Sequence, residues 1–107
     1  MLSFDEFKKV FDCLKYTRDF NVFFEKPYGL ELLMELNENF VLGLDASIDE
    51  VFIKLKTASC RRDAFGRYIN RLEEVGALVK TTNSRKKSMK SLTLTAEFAS
   101  KTCKIFE

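Results

Sequence analysis

The stretch "RYINRLEEVGALVKTTNSRKKSMKSLTLT", residues 67 to 95, changes character twice. It opens on an amphipathic pattern, breaks at Gly76, and then runs through "ALVKTT" and "SLTLT", which flank the cationic "NSRKKSMK". Valine, leucine and threonine suit strands, and a polar run between two such segments predicts a β-hairpin with a long basic tip. Just upstream, Phe65, Ile69 and Leu72 recur at i, i+4 and i+7 with Tyr68 beside them, which predicts a helix buried along one stripe. Thr57 or Ser59 can cap its start, and Gly76 stands where a C-terminal glycine is expected. Gly66 interrupts the pattern at a cost of about 1 kcal/mol relative to alanine. Close passage of a neighbouring helix, or of a phosphate backbone, would each explain it.

Working towards the N-terminus, "IDEVFIKLK" carries Ile48, Val51, Phe52 and Leu55 on one side and is preceded by Ser47, with Glu50 three residues on. That is a capping box followed by a helix of about two to three turns. The apolar, glycine-interrupted "FVLGL" reads as a small strand. Pro27 suits the first turn of a helix in which Leu30, Leu33, Met34 and Leu36 supply a buried stripe and Asn37 to Asn39 close it. Residues 3 to 16 form another helix, with Phe4, Phe7, Val10, Phe11 and Leu14 on one face and a second capping box at Ser3 and Glu6. Between the two, "RDFNVFFEK" either extends the first helix or packs as a connector. After the hairpin, "AEFASKTCKIF" returns to helical spacing through Phe98, Ala99, Cys103 and Phe106.

Composition narrows the function. A chain of 107 residues with 46% apolar content and eleven phenylalanines can fill one core, so a single domain over 1–107 is expected. No apolar run approaches the ~20 residues needed to cross a bilayer, and "MLSFDEFKK" has no apolar signal core, so no membrane association is expected. Cys13, Cys60 and Cys103 are odd in number and far apart, which fits reduced structural thiols in a cytoplasm. There is no histidine, no phosphate-binding GxxxxGK[ST] loop and no GxSxG elbow, so neither an enzyme nor a metal or other cofactor is expected.

Two short helices followed by a two-stranded hairpin outline a winged helix-turn-helix, mainly α with a small hairpin (α+β). In that arrangement the second helix enters the major groove and the hairpin tip lies on the backbone or in the adjoining minor groove of double-stranded DNA. Charge follows the same outline. Between Ser59 and Ser91 stand nine basic residues and three acidic ones, a window of +6 in a chain of +2, which leaves the remainder at −4. Such a concentration suits a polyanion, and phosphates are the expected occupants of the basic tip.

The same stretch resembles the recognition helix and wing of MarR-type winged-helix regulators, through Arg71, Leu72, Glu73, Glu74, Gly76, Leu94 and Thr95. The looser similarity runs back to Pro27. What the resemblance implies is a homodimeric, DNA-binding transcriptional regulator on a palindromic site. Residues 1–24 and 96–107 are the candidate dimerisation elements, because their apolar faces need cover. The tip lacks the aspartate-x-arginine pair often found in that family, which implies a different bracing of the wing.

Individual roles follow from side-chain chemistry. Arg61, Arg62, Arg67 and Asn70 are assigned to the exposed face of the recognition helix, where arginine can read guanine and asparagine adenine. Thr57 and Ser59 either touch phosphate or cap. Arg85, Lys86, Lys87 and Lys90 are assigned to the DNA backbone. Two rivals remain: a protein-binding adaptor presenting an apolar patch from "FNVFFEKPY", and an RNA- or replication-origin-binding domain on the same basic surface. A small-molecule effector is left open.

Overall fold

The structure, a computed structural model, describes residues 3–16 and 20–106. In chain order the elements are α1 (Phe4–Tyr16), a single 3₁₀ turn (Asn21–Phe24), α2 (Gly29–Leu42), α3 (Ile48–Lys54), α4 (Arg62–Glu74), β1 (Leu78–Thr82), β2 (Lys90–Leu94) and α5 (Ala96–Phe106). The expected order of helices and hairpin is therefore present. Two segments stand apart: the first differs from expectation, and the second takes the packed-connector form, one of the two that the sequence left open.

The first is "FVLGL". Its Phe40, Val41 and Leu42 form the last turn of α2, which does not close at Asn37–Asn39. Gly43 adopts φ 68°, and the Leu44 N–H reaches the Asn39 carbonyl at 2.8 Å, so a left-handed glycine stop ends the helix three to four residues later than the asparagines suggested. Just beyond it the chain touches the hairpin in an isolated bridge, where Ser47 pairs with Ser91 and the Leu92 N–H donates to the Ala46 carbonyl at 3.1 Å.

The second is the connector before α2. Phe20, Val22 and Tyr28 are buried, Phe23 is 0% exposed and Phe24 is half-buried, so most of the apolar side chains of "FNVFFEKPY" belong to the core and do not present the apolar patch expected of an adaptor. Phe98 of α5 closes over it, edge-on to Phe20 with ring centroids 4.9 Å apart. The connector also passes very close to the start of α2: a Cβ on Gly29 would lie 1.5 Å from the Phe23 carbonyl oxygen. Pro27 stands just ahead of that start, with Tyr28 as N-cap, and not within the first turn.

The buried stripe of α2 is Leu32, Leu33 and Leu36; Met34 is exposed and Leu30 half-buried. In α1 the expected face splits. Phe11 packs edge-on to Phe24 at 5.4 Å and Val10 is half-buried, while Phe4 is 81% and Phe7 50% exposed. Cys13 is exposed on this helix, so a buried structural role fails there; Cys60 is half-buried. The expectations at the side chains of Leu14, Cys103 and Phe106 lie outside the described residues.

Candidate nucleic-acid interface

The recognition unit begins at Ser47, whose hydroxyl accepts the Glu50 N–H at 3.2 Å while the Glu50 carboxylate accepts the Ser47 N–H at 3.3 Å. This reciprocal pair starts α3 as the sequence predicts. Val51 and Leu55 are buried beneath it, and the chain then turns towards α4.

The turn is held from α2, by a residue the sequence did not single out. Glu31 accepts the backbone N–H groups of Lys56 at 3.1 Å and Thr57 at 3.0 Å, and the Thr57 hydroxyl at 2.7 Å. These bonds, the Thr57 N–H foremost, hold the Glu31 carboxyl below its ordinary range. Thr57 is thus engaged with α2 and does not cap α4. Ser59 is exposed and does not cap it either: Arg61 occupies the N-cap position with extended backbone and no side-chain bond.

Helix α4 buries Phe65, Tyr68, Ile69 and Leu72 as expected, and the Tyr68 hydroxyl donates to the Val22 carbonyl at 2.7 Å. Burial pushes the Tyr68 phenol above its ordinary range. Gly76, at φ 80°, ends the helix and turns the chain into β1. Among the described residues no neighbouring helix comes within 4 Å of where a Cβ on Gly66 would lie. The contact a Cβ there would make is with Arg62 Nη1, at 3.2 Å.

The cations divide into two groups. Arg62 Nε donates to Asp49 Oδ1 of α3 at 2.6 Å, and its guanidinium carbon lies 6.0 Å from the centre of the Phe65 ring. Arg67 pairs with Asp63 one turn earlier at 3.6 Å. Arg71 makes two bonds to Glu25 of the connector, at 2.9 and 3.3 Å, and this arginine holds the Glu25 carboxyl below its usual range. Lys80 of β1 pairs with Glu73 at 3.7 Å and also donates to the Asn70 side chain, which therefore leans on the wing strand. Arg85 binds the Glu50 carboxylate and, at 3.2 Å, the Asp45 carbonyl. Within the 59–91 window Arg61, Lys86, Lys87 and Lys90 form the second group: all four are exposed and none makes an ion pair among the described residues, as is also true of Lys8, Lys9, Lys26 and Lys56 outside it.

Folding also brings acidic residues to this surface. Asp45, Asp49 and Glu50 all contact the wing or the start of α4, so three carboxylates stand against the +6 of the 59–91 window and reduce it to +3.

The wing tip is braced by Asn83 and Asp45. Asn83 is 2% exposed; its side-chain oxygen accepts the N–H groups of Arg85 at 2.9 Å and Lys86 at 3.1 Å, and its amide donates to Ser91 Oγ at 2.9 Å. The Ser84 N–H donates to Asp45 Oδ2 at 2.6 Å, and the hydroxyls of Ser84 and Ser91 help to lower that carboxyl to about 2. An asparagine directly after a strand and before a turn was the available signal for this bracing.

A helix-turn-helix followed by a two-stranded hairpin, with a single bridge from Ser47 to the hairpin's Ser91, defines the winged-helix class. Within it, the chain is similar to a solved structure, that of the S. aureus MepR–DNA complex, with a TM-score of 0.57 and 10% sequence identity over 95% of this chain and 73% of that one. The fold is accordingly the MarR-like winged helix-turn-helix. No protein-family model and no curated protein matches the sequence. Among the described residues no helix is long and apolar enough to cross a membrane.

Proposed function

We propose that the chain is a sequence-specific, double-stranded-DNA-binding transcriptional regulator that acts as a homodimer. The observation that carries this reading is the second group of cations. Arg61 opens α4 and Lys86, Lys87 and Lys90 lie on the wing, each exposed and without an ion-pair partner. The two arms are tied to one place, because Arg62 and Arg85 reach the adjacent residues Asp49 and Glu50 of α3. They therefore flank a single helix start, as a face for one duplex requires.

In this reading α4 enters the major groove with Arg61, Arg62 and Arg67 towards the bases, and the wing takes phosphates through Lys86, Lys87 and Lys90. Asn70 and Arg85 contribute after exchanging their present partners, and Ser59 lies beside Arg61. Thr57 acts indirectly, by fixing the turn. The similarity to a protein crystallised with DNA supports the reading. The exposed Phe4 and Phe7 of α1 support a second copy as their cover, with segments 1–24 and 96–107 as the pairing elements.

Binding to a random duplex library at two salt concentrations tests the proposal. Affinity is expected to fall steeply with salt, and Lys86→Gln with Lys87→Gln to reduce the slope by about two units while weakening all sequences alike. Absence of duplex retention at low salt would favour the adaptor. One observation supports that rival: Phe40, Val41, Leu42 and Leu44 are exposed at the end of α2, as is Ile53 at 80%.

A further inference from the structure

We propose that Asp49 is a specificity-determining positioning residue, which acts on DNA through Arg62 by making that arginine a reader of bases instead of a binder of phosphate. The inference rests on the DNA-binding reading above and assigns a task to a carboxylate that a phosphate-binding surface would otherwise be better without.

The geometry of the guanidinium points to it. Asp49 Oδ1 takes the Nε hydrogen of Arg62 at 2.6 Å, and the carboxylate takes only that edge of the group. A guanidinium carries five donors in a fixed planar fork, so both Nη groups keep their outward hydrogens. Those are the donors that pair with O6 and N7 of a guanine. The guanidinium carbon lies over the Phe65 ring, 6.0 Å from its centre, at the outer limit of a cation–π contact. Gly66, one turn along, leaves room for Nη1, where a Cβ would lie 3.2 Å away. Arginine is therefore held by its inner edge, over an aromatic face, beside the only residue type that adds no side chain at that height.

The charge of Asp49 supplies the selectivity. A phosphate approaching Arg62 meets the carboxylate at once and is repelled, whereas a guanine edge is neutral and asks only for the two Nη donors. Glu50 does not share this arrangement: it binds Arg85 through Nη2, leaving that arginine with its outer edge occupied. The two adjacent acids thus act differently because the arginines they meet are gripped at different atoms.

The test compares a duplex selected by the wild-type protein with random duplex of equal length, for Asp49→Asn, Arg62→Lys and the double variant, with thermal unfolding recorded for each. Asp49→Asn is expected to raise affinity for random duplex by about two- to fivefold, as removal of an exposed competing charge allows. The ratio of selected to random affinity is expected to fall by at least about fivefold, the low end of discrimination by one bidentate base contact. Arg62→Lys is expected to lower the same ratio, and the double variant to lose no more than the larger single loss, since the two residues form one unit.

An unchanged ratio in Asp49→Asn, with both affinities raised equally, would reduce Asp49 to a bulk charge and overturn the proposal. So would losses that add in the double variant. If Lys86→Gln with Lys87→Gln still reduces the salt slope in that case, DNA binding stands and only the assignment of Asp49 falls. If no variant and no wild-type protein retains duplex, both fall together.

Discussion

Helix α4 has two sides that use the same residue types for opposite ends. On the side of α2 and the connector, charges and hydroxyls are fastened: Arg71 to Glu25, Thr57 to Glu31, Tyr68 to the Val22 carbonyl. On the side of the wing, Lys86, Lys87 and Lys90 stand in solvent, and Arg62 and Arg85 are held by carboxylates that are themselves exposed. In the proposed DNA-binding reading the first side is a scaffold and the second a presenting face. Charge counted along the chain cannot separate them, because an arginine that glues two elements and one that awaits a phosphate contribute alike to a sum. Substitutions on the scaffold side should move stability and leave salt dependence of binding alone, and substitutions on the wing should do the reverse.

The largest effect is expected at Gly29. A methyl group there would sit 1.5 Å from the Phe23 carbonyl oxygen, which is backbone and cannot step aside without moving the buried Phe20 and Phe23. Gly29→Ala is expected to cost about 3 kcal/mol or more, at or beyond the upper end of ordinary overpacking, measured by urea unfolding. Lys86→Gln with Lys87→Gln is the matching change on the other side: stability within about 0.5 kcal/mol of wild type, with the salt slope altered. A Gly29→Ala protein as stable as wild type would mean that the connector slides freely over α2, and the scaffold side would lose its rigidity as an explanation.

Acid should act on the scaffold through Glu31. Its carboxyl is held below the ordinary 4.5 by bonds from Thr57 and Lys56, so the folded protein binds that proton less readily than the unfolded chain. The stabilisation is therefore fully present above about 4.5 and is lost as pH falls through the lower folded value. Glu31→Gln keeps the shape but not the charge. Its stability is expected to be lower than wild type at neutral pH, with the gap narrowing below 4.5 as the wild-type carboxylate is protonated. Parallel curves across that range would show that the turn before α4 does not depend on the ionised form.

Much of this division was legible from residues 47 to 95, where the capping box at Ser47, the stripe through Phe65 and Leu72, Gly76 and the two strands all act locally. Local signals are readable because each is settled within a few residues of itself. What escaped depends on distant partners. The burial of Phe23 and the exposure of Phe4 could not be told apart, since periodicity reports an apolar face and not what covers it. Glu31, Asp45 and Asp49 were unremarkable acids until folding set them against segments 25, 39 and 13 residues away. "FVLGL" misled for a related reason: its composition favours a strand, but α2 runs on through Leu42 and the stretch's own Gly43, at φ 68°, supplies the stop.

The smallest effect, and the one that bears most directly on the boundary between the two sides, is expected at Gly66. Glycine inside a helix is less favourable than alanine by about 1 kcal/mol, so Gly66→Ala gains that amount minus the cost of displacing Arg62 Nη1, which would lie 3.2 Å from the new methyl. The displaced atom is the far end of a flexible side chain, although Asp49 holds its Nε. A shift of a few tenths of an ångström suffices, so a net stabilisation of up to about 1 kcal/mol is expected, read as a higher urea midpoint. A net loss would mean that the Asp49–Arg62 pair is stiffer than an exposed ion pair ordinarily is. If stability rises as expected while affinity for every duplex falls alike, glycine is kept at this height for the close approach of a phosphate backbone, and the presenting face extends further down α4 than its ion pairs suggest.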